Sequence, residues 1–194
     1  MRAFPITLVM VALVAVACGS EDGAGPRGAP SAVVGRAPEL TVAAGRALVA
    51  TAAPGGSQSE GAVDLRRGRA DLEVRGPKPP HPFVAEPALV VDVVRGTVRI
   101  EPFGGVGVRD VGTMMYEVDI DPARVLAATP AGRRARLAAL LPPGRFYADV
   151  FIDTQGRIRR VLLPADLTDP RPYGDSKVTN QEMTVDFYDF PGDE

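Results

Sequence analysis

The stretch from Asp110 to Leu163 constrains the fold more than any other part of this chain. Met114, Tyr116, Val118 and Ile120 alternate with Met115, Glu117 and Asp119. An apolar side chain at every second position specifies a strand with one buried and one solvated face. Asp121-Pro122 then signals a helix start, with a carboxylate to cap the first turn and a proline that loses no hydrogen bond there. Thr129-Pro130 repeats the signal, so the helix is expected to break and restart. Leu137, Leu140 and Leu141 share one face of the second piece, and Arg133, Arg134 and Arg136 fall largely off it. Pro142-Pro143-Gly144 stops it. A hairpin follows, turning at Asp153-Thr154-Gln155-Gly156, where glycine can take a positive φ. A sheet whose apolar face meets an amphipathic helix encloses either a packed core or a cavity.

The first residues carry an address. Arg2 precedes an unbroken apolar run from Ile6 to Ala17, about a dozen residues, too short to span a bilayer and right for a signal-peptide core. It ends in Ala15-Val16-Ala17-Cys18-Gly19, which resembles a bacterial lipobox. That resemblance implies cleavage of residues 1–17, a diacylglyceryl thioether on Cys18 and an anchor in the extracytoplasmic face of the cell membrane. Cys18 is the only cysteine, so an exported chain has no internal disulfide. Two acyl chains make a stable anchor where one is marginal.

Residues 18–38 are rich in Gly, Ala, Pro and Ser and read as a flexible tether. A domain over 39–194 follows. Leu40 to Ala53 reads as a first strand, although its alanines also suit a short helix. Gly61 to Val74 reads as a hairpin turning at Arg67-Gly68, Gly76 to Pro87 as an irregular connection, and Ala88 to Ile100 as a second hairpin turning at Arg95-Gly96. Pro102 to Gly107 reads as a Gly-rich loop, Pro164 to Asp175 as another, and Lys177 to Tyr188 as the last strand. Recurrent hairpins with one central helical segment specify an α+β arrangement: a curved antiparallel sheet, a half-open barrel, covered on its concave side by one or two helical segments.

Reactive chemistry is sparse. His81 is the lone histidine and sits among prolines, the setting of a solvated turn residue. Ser57, Ser59 and Ser176 lack a nucleophile-elbow context. No Cys/His cluster suits a transition metal, and Asp119, Asp121, Asp149 and Asp153 read as strand, cap and turn residues rather than a calcium loop. Net charge is −2 with no Lys/Arg run, which gives nucleic acid no basic surface to bind. The expectation is a binding protein without cofactor, not an enzyme.

Three ordered pieces carry a resemblance. They are Gly112-Thr-Met-Met-Tyr116-Glu-Val-Asp-Ile-Asp121 before a helix, Asp149-Val-Phe-Ile-Asp153-Thr-Gln-Gly156-Arg-Ile-Arg-Arg-Val161, and Asp186-Phe-Tyr-Asp-Phe190. The set resembles actinobacterial lipoproteins of the LppX/LprG type, which share a LolA-like fold. The hairpin from Gly61 to Leu72 is similar to their first. The resemblance implies a half-open barrel with helices across its concave side, holding acyl chains of lipids or glycolipids in an apolar cavity and carrying them in the cell envelope. Met114, Tyr116, Val118, Ile120, Val125, Leu126, Leu137, Leu141, Val150 and Ile152 are the candidate lining; the same side chains would equally form an ordinary core. The alternative function is a non-catalytic envelope sensor or scaffold that binds a protein partner.

Overall fold

Met114, Tyr116, Val118 and Ile120 lie directly opposite Ile152, Val150, Ala148 and Phe146. This register makes one face of the two strands continuous and apolar. The computed structural model describes residues 25–78, 80–164, 167 and 182–193. Within them, eight strands form a single sheet: β1 (Arg46–Ala52), β2 (Gln58–Asp64), β3 (Arg69–Arg75), β4 (Thr97–Val108), β5 (Val111–Ile120), β6 (Phe146–Asp153), β7 (Ile158–Pro164) and β8 (Glu182–Tyr188). Their order is β3-β2-β1-β8-β7-β6-β5-β4, with every neighbouring pair antiparallel. The sheet curves without closing, so β3 and β4 remain as edges, and the expected half-open barrel is what the chain forms.

The helical layer is larger than one or two segments. It contains α1 (Pro30–Ala44), α2 (Pro82–Ala85), α3 (Ala88–Val94), α4 (Pro122–Ala128) and α5 (Ala131–Ala138). The break between α4 and α5 falls at Thr129-Pro130, as the repeated start signal requires.

Four segments differ from their sequence reading, one of them the connection from Gly76 to Pro87, in which Pro82–Ala85 form α2, capped by His81. Pro30 to Pro38, read as tether, belongs to α1, and the strand read from Leu40 begins only at Arg46. Val33, Val34, Ala37 and Thr41 recur at helical spacing and are buried. The poor helix formers Gly35 and Pro38 mask that period in the sequence. Thr41 stitches the helix to the sheet: its hydroxyl donates to the Ala37 carbonyl at 2.7 Å and accepts from the Ile158 N–H at 2.8 Å.

Ala88 to Ile100 is not a hairpin but α3 followed by β4. All seven α3 residues are buried, Asp92 included. A helix buried all round shows no polar stripe, and its valines carry strand propensity, so pattern and propensity both misdirect. Pro102 to Gly107 is strand rather than loop. It lies in β4, whose register shifts between Pro102 and Gly104; an edge strand accommodates proline at such a bulge. The last strand is described from Glu182 onward, and residues 177–181 of its expected span lie outside the described residues.

The core sits between the apolar sheet face and the helices. It joins Val34 and Ala37 of α1, Phe83 of α2, Leu89 and Val93 of α3, Val125, Leu137, and the inward residues of the central strands, among them Met183, Val185 and Phe187 of β8. The other face of the sheet is polar. There Arg160 donates to both Asp186 oxygens at 2.6 and 2.8 Å.

Candidate functional site

Helix α1 lies against β4, β7 and α3, while α4 and α5 follow β5, and each is seated by specific chemistry. Asp121 Oδ1 accepts from the Ala123 N–H at 2.9 Å, the cap anticipated from Asp121-Pro122. The start of α4 rests on the turn between α3 and β4. There the Asp121 N–H donates to the Gly96 carbonyl at 2.9 Å, and a Cβ on Gly96 would overlap Val125 Cγ2 and stand 2.8 Å from the Asp121 carbonyl oxygen. Glycine is required here by close approach rather than by φ.

Through Arg133, α5 reaches both α3 and the β2–β3 turn. Leu137 is its one fully buried residue. Arg133 reaches α3, with Nε 2.7 Å from Asp92 Oδ2 and Nη2 donating to Asp92 Oδ1 at 3.1 Å. Arg133 also lies against Gly68 in the β2–β3 turn, where an added Cβ would meet its Nη1 at 2.7 Å. Arg136 pairs with Glu86. Burial pushes the Asp92 carboxyl above its ordinary range, against the opposing pull of Arg133 and Arg95.

The structure brings the ten candidate lining residues into one assembly. Ile120, Val125, Leu137, Val150 and Ile152 have 0% exposure, and Val118 and Tyr116 have 2% and 3%. No water-sized void touches the first five. Met114, Leu126 and Leu141 are half-buried and pack against the same cluster, together with Leu140. These central side chains are therefore dry, and Leu126, Leu140 and Leu141 of the α4–α5 segment form a half-buried apolar fringe beside them. The alternation and helix-face signals identify inward residues of β5 and of the α4–α5 segment. They do not reveal Phe83, Val84 and the α3 valines, which join the same cluster; the apolar run Ala88–Val94 reads in sequence as part of a hairpin.

His81 caps α2, its Nδ1 accepting from the Phe83 N–H at 3.3 Å. Among the described residues, no group of three or more His, Cys, Asp or Glu side chains converges to hold a metal ion. Nor is any helix among them long and apolar enough to cross a membrane. Residues 1–17 and Cys18 lie outside the described residues.

Comparison with known proteins gives a structural likeness only. No family model matches the chain, and no curated protein matches its sequence significantly. Among solved structures, the chain is similar to LprF from Mycobacterium bovis, with 11% identity over 87% of this chain and 96% of that one, at a TM-score of 0.47. It is also similar to the lipoprotein LppX of Mycobacterium tuberculosis, with 9% identity over 82% of this chain and 94% of that one, at a TM-score of 0.43.

Proposed function

We propose that this chain is a non-catalytic lipoprotein, anchored through Cys18 on the extracytoplasmic face of the cell membrane, that binds acyl chains of a lipid or glycolipid beneath the α4–α5 lid and carries them in the envelope. The observation that supports it is the apolar fringe. The α4–α5 segment puts two fully buried aliphatic side chains, Val125 and Leu137, into the interior, while its Leu126, Leu140 and Leu141 stay half-buried against the same cluster, as does Met114 beside Gly25.

Magnitudes favour opening by a ligand. Withdrawing two aliphatic side chains from the core costs roughly 3–6 kcal/mol at about 1.5–3 kcal/mol each. Each acyl methylene buried returns about 0.8 kcal/mol, so roughly four to eight methylenes offset the opening. An ordinary membrane acyl chain is longer than that. The floor it would meet is the paired row Met114–Ile152, Tyr116–Val150, Val118–Ala148 and Ile120–Phe146. On this reading the ten candidate residues line the acyl site, the half-buried ones nearer solvent and the rest deeper in the cluster.

The dry packing of that floor favours a second reading, in which the same fold serves as an envelope scaffold for a protein partner and its interior is only core. Solvent extraction of the purified protein followed by mass spectrometry separates the two. A stoichiometric acyl lipid beyond the anchor, absent from a mock purification, is the expected result. A folded protein that yields none and takes up none when lipid is added would leave the scaffold. The anchor is tested apart from this by incorporation of labelled palmitate in the host, which Cys18→Ala should abolish.

A further inference from the structure

The outward face of β4, β5 and β6 carries a row of carboxylates that the acyl reading does not use. Glu101 lies directly opposite Glu117, and Glu117 directly opposite Asp149. Like charges facing each other across neighbouring strands destabilise a sheet. Solvation relieves exposed Glu101 and, in part, Glu117, but not Asp149. Asp149 is only 3% exposed, and its Oδ1 is buried with no hydrogen-bond partner among the described residues. A buried carboxylate oxygen without a donor is uncommon and costly.

These groups line a cleft of about 210 Å³ whose walls include Arg99, Glu101, Glu117, Asp119, Tyr147 and Asp149. Arg99 is the one cation in the wall, and it is already held by Glu101. Glu117, Asp119 and Asp149 make no ion pair among the described residues. Burial, with Glu182 of β8 and Glu117 of β5 adding repulsion, pushes the Asp149 carboxyl up to about 6. The same burial, together with Glu182 and Asp149, raises the Tyr147 hydroxyl.

We propose that this cleft is a binding site for an organic cation, a primary ammonium or guanidinium group, which donates N–H bonds to Asp149 and Glu117 beside the ring of Tyr147. The absence of a convergent three-ligand set among the described residues sets a compact metal ion aside. A cation with several N–H donors matches carboxylates spread over three strands, and an aromatic face adds attraction for it. The site lies on the opposite face of the sheet from the acyl floor and does not depend on that reading. The shared chemistry has two sources, a free amine or a basic side chain of a protein. Because Asp149 binds the cation as a carboxylate, affinity falls as pH drops below about 6; Glu101, Glu117, Asp119 and Glu182 share this face with it.

The experiment is an NMR titration of the full chain in detergent with n-butylammonium and methylguanidinium, using tetramethylammonium as a control without N–H donors. Saturable shifts at Glu117, Tyr147 and Asp149 with the first two cations alone are expected. Asp149→Asn should weaken binding about tenfold or more, the loss of a charge-assisted bond, and Glu117→Gln should weaken it in the same direction. A tetralysine peptide that binds tighter than the free cations assigns the site to a basic protein segment; free cations that match or exceed it assign a small amine. Absence of saturable shifts, or unchanged affinity in both folded variants, overturns the proposal.

Discussion

Arg133 Nε stands 2.7 Å from Asp92 Oδ2, and Asp92 has no exposed surface. This ion pair joins helix α5 to the fully buried helix α3. Removing the arginine leaves Arg95 Nε, at 3.3 Å from Asp92 Oδ1, as the remaining partner of a desolvated carboxylate. Arg133→Met should therefore destabilise the protein by about 3 kcal/mol, the lower end for breaking a buried pair, since Arg95 remains. Asp92→Asn combined with Arg133→Met should restore part of that loss. Urea unfolding of the single and double variants measures both, and simple additivity would contradict the coupling.

Gly96→Ala tests the seat of α4. The new methyl group would overlap Val125 Cγ2 and crowd the Asp121 carbonyl. Overpacking of this kind costs about 1–3 kcal/mol, and it should also raise hydrogen exchange at the amides of α4. A neutral substitution would mean that α4 does not rest on this turn.

The chain contains no tryptophan, so a single introduced one is an unambiguous reporter. Leu141→Trp places it on the half-buried apolar fringe. Its emission should move to shorter wavelength on addition of palmitate, and brominated palmitate should quench it. Emission indifferent to both ligands would argue that acyl chains do not enter here.

Asp149 gives stability an unusual pH dependence. Its folded-state value of about 6 lies above the ordinary 3.8. The native state therefore holds the proton more tightly than the unfolded chain, and stability falls as pH rises from about 4 to about 6. The shift corresponds to about 2–3 kcal/mol at full effect. Asp149→Asn removes this loss, so the variant should be the more stable protein at pH 7.5, with the difference disappearing near pH 4. Denaturation at the two pH values in cation-free buffer decides it; a variant less stable at pH 7.5 would mean that the ionised carboxylate is well partnered.

The legible and illegible parts of the sequence divide along physical lines. Strand β5 and the hairpin of β6 and β7 were readable because one face meets water, so burial writes a period of two. The α4–α5 pair was readable because Asp121-Pro122 and Thr129-Pro130 mark starts that local chemistry enforces. Helix α3 was not. With every residue from Ala88 to Val94 buried, no solvent-facing position remains to reveal a period of 3.6, and only the surrounding sheet and helices decide its conformation. Helix α1 was obscured by Gly35 and Pro38, whose cost is outweighed by the burial of Val34 and Ala37 and by the Thr41 bridge. At the site, alternation identified Tyr116, Val118 and Ile120 as inward. That they share one cluster with side chains from five helices could not be read from any one segment.

The pairing of β1 with β8 places Val49 beside Phe187 and Ala50 beside Asp186, so the sheet acquires its centre from the two ends of the domain. As the chain emerges, β1 to β3 can pair among themselves, and β4 to β7 can do the same. Neither half contains the strand that joins them. Until Glu182–Tyr188 arrives, β1 and β7 both present bare edges. Among the described strands the keystone is the last to be made, so the sheet can be joined only after β1 to β7 have emerged. A chain cut short before Glu182 would leave two unjoined meanders, each with an open edge ready to pair with another molecule.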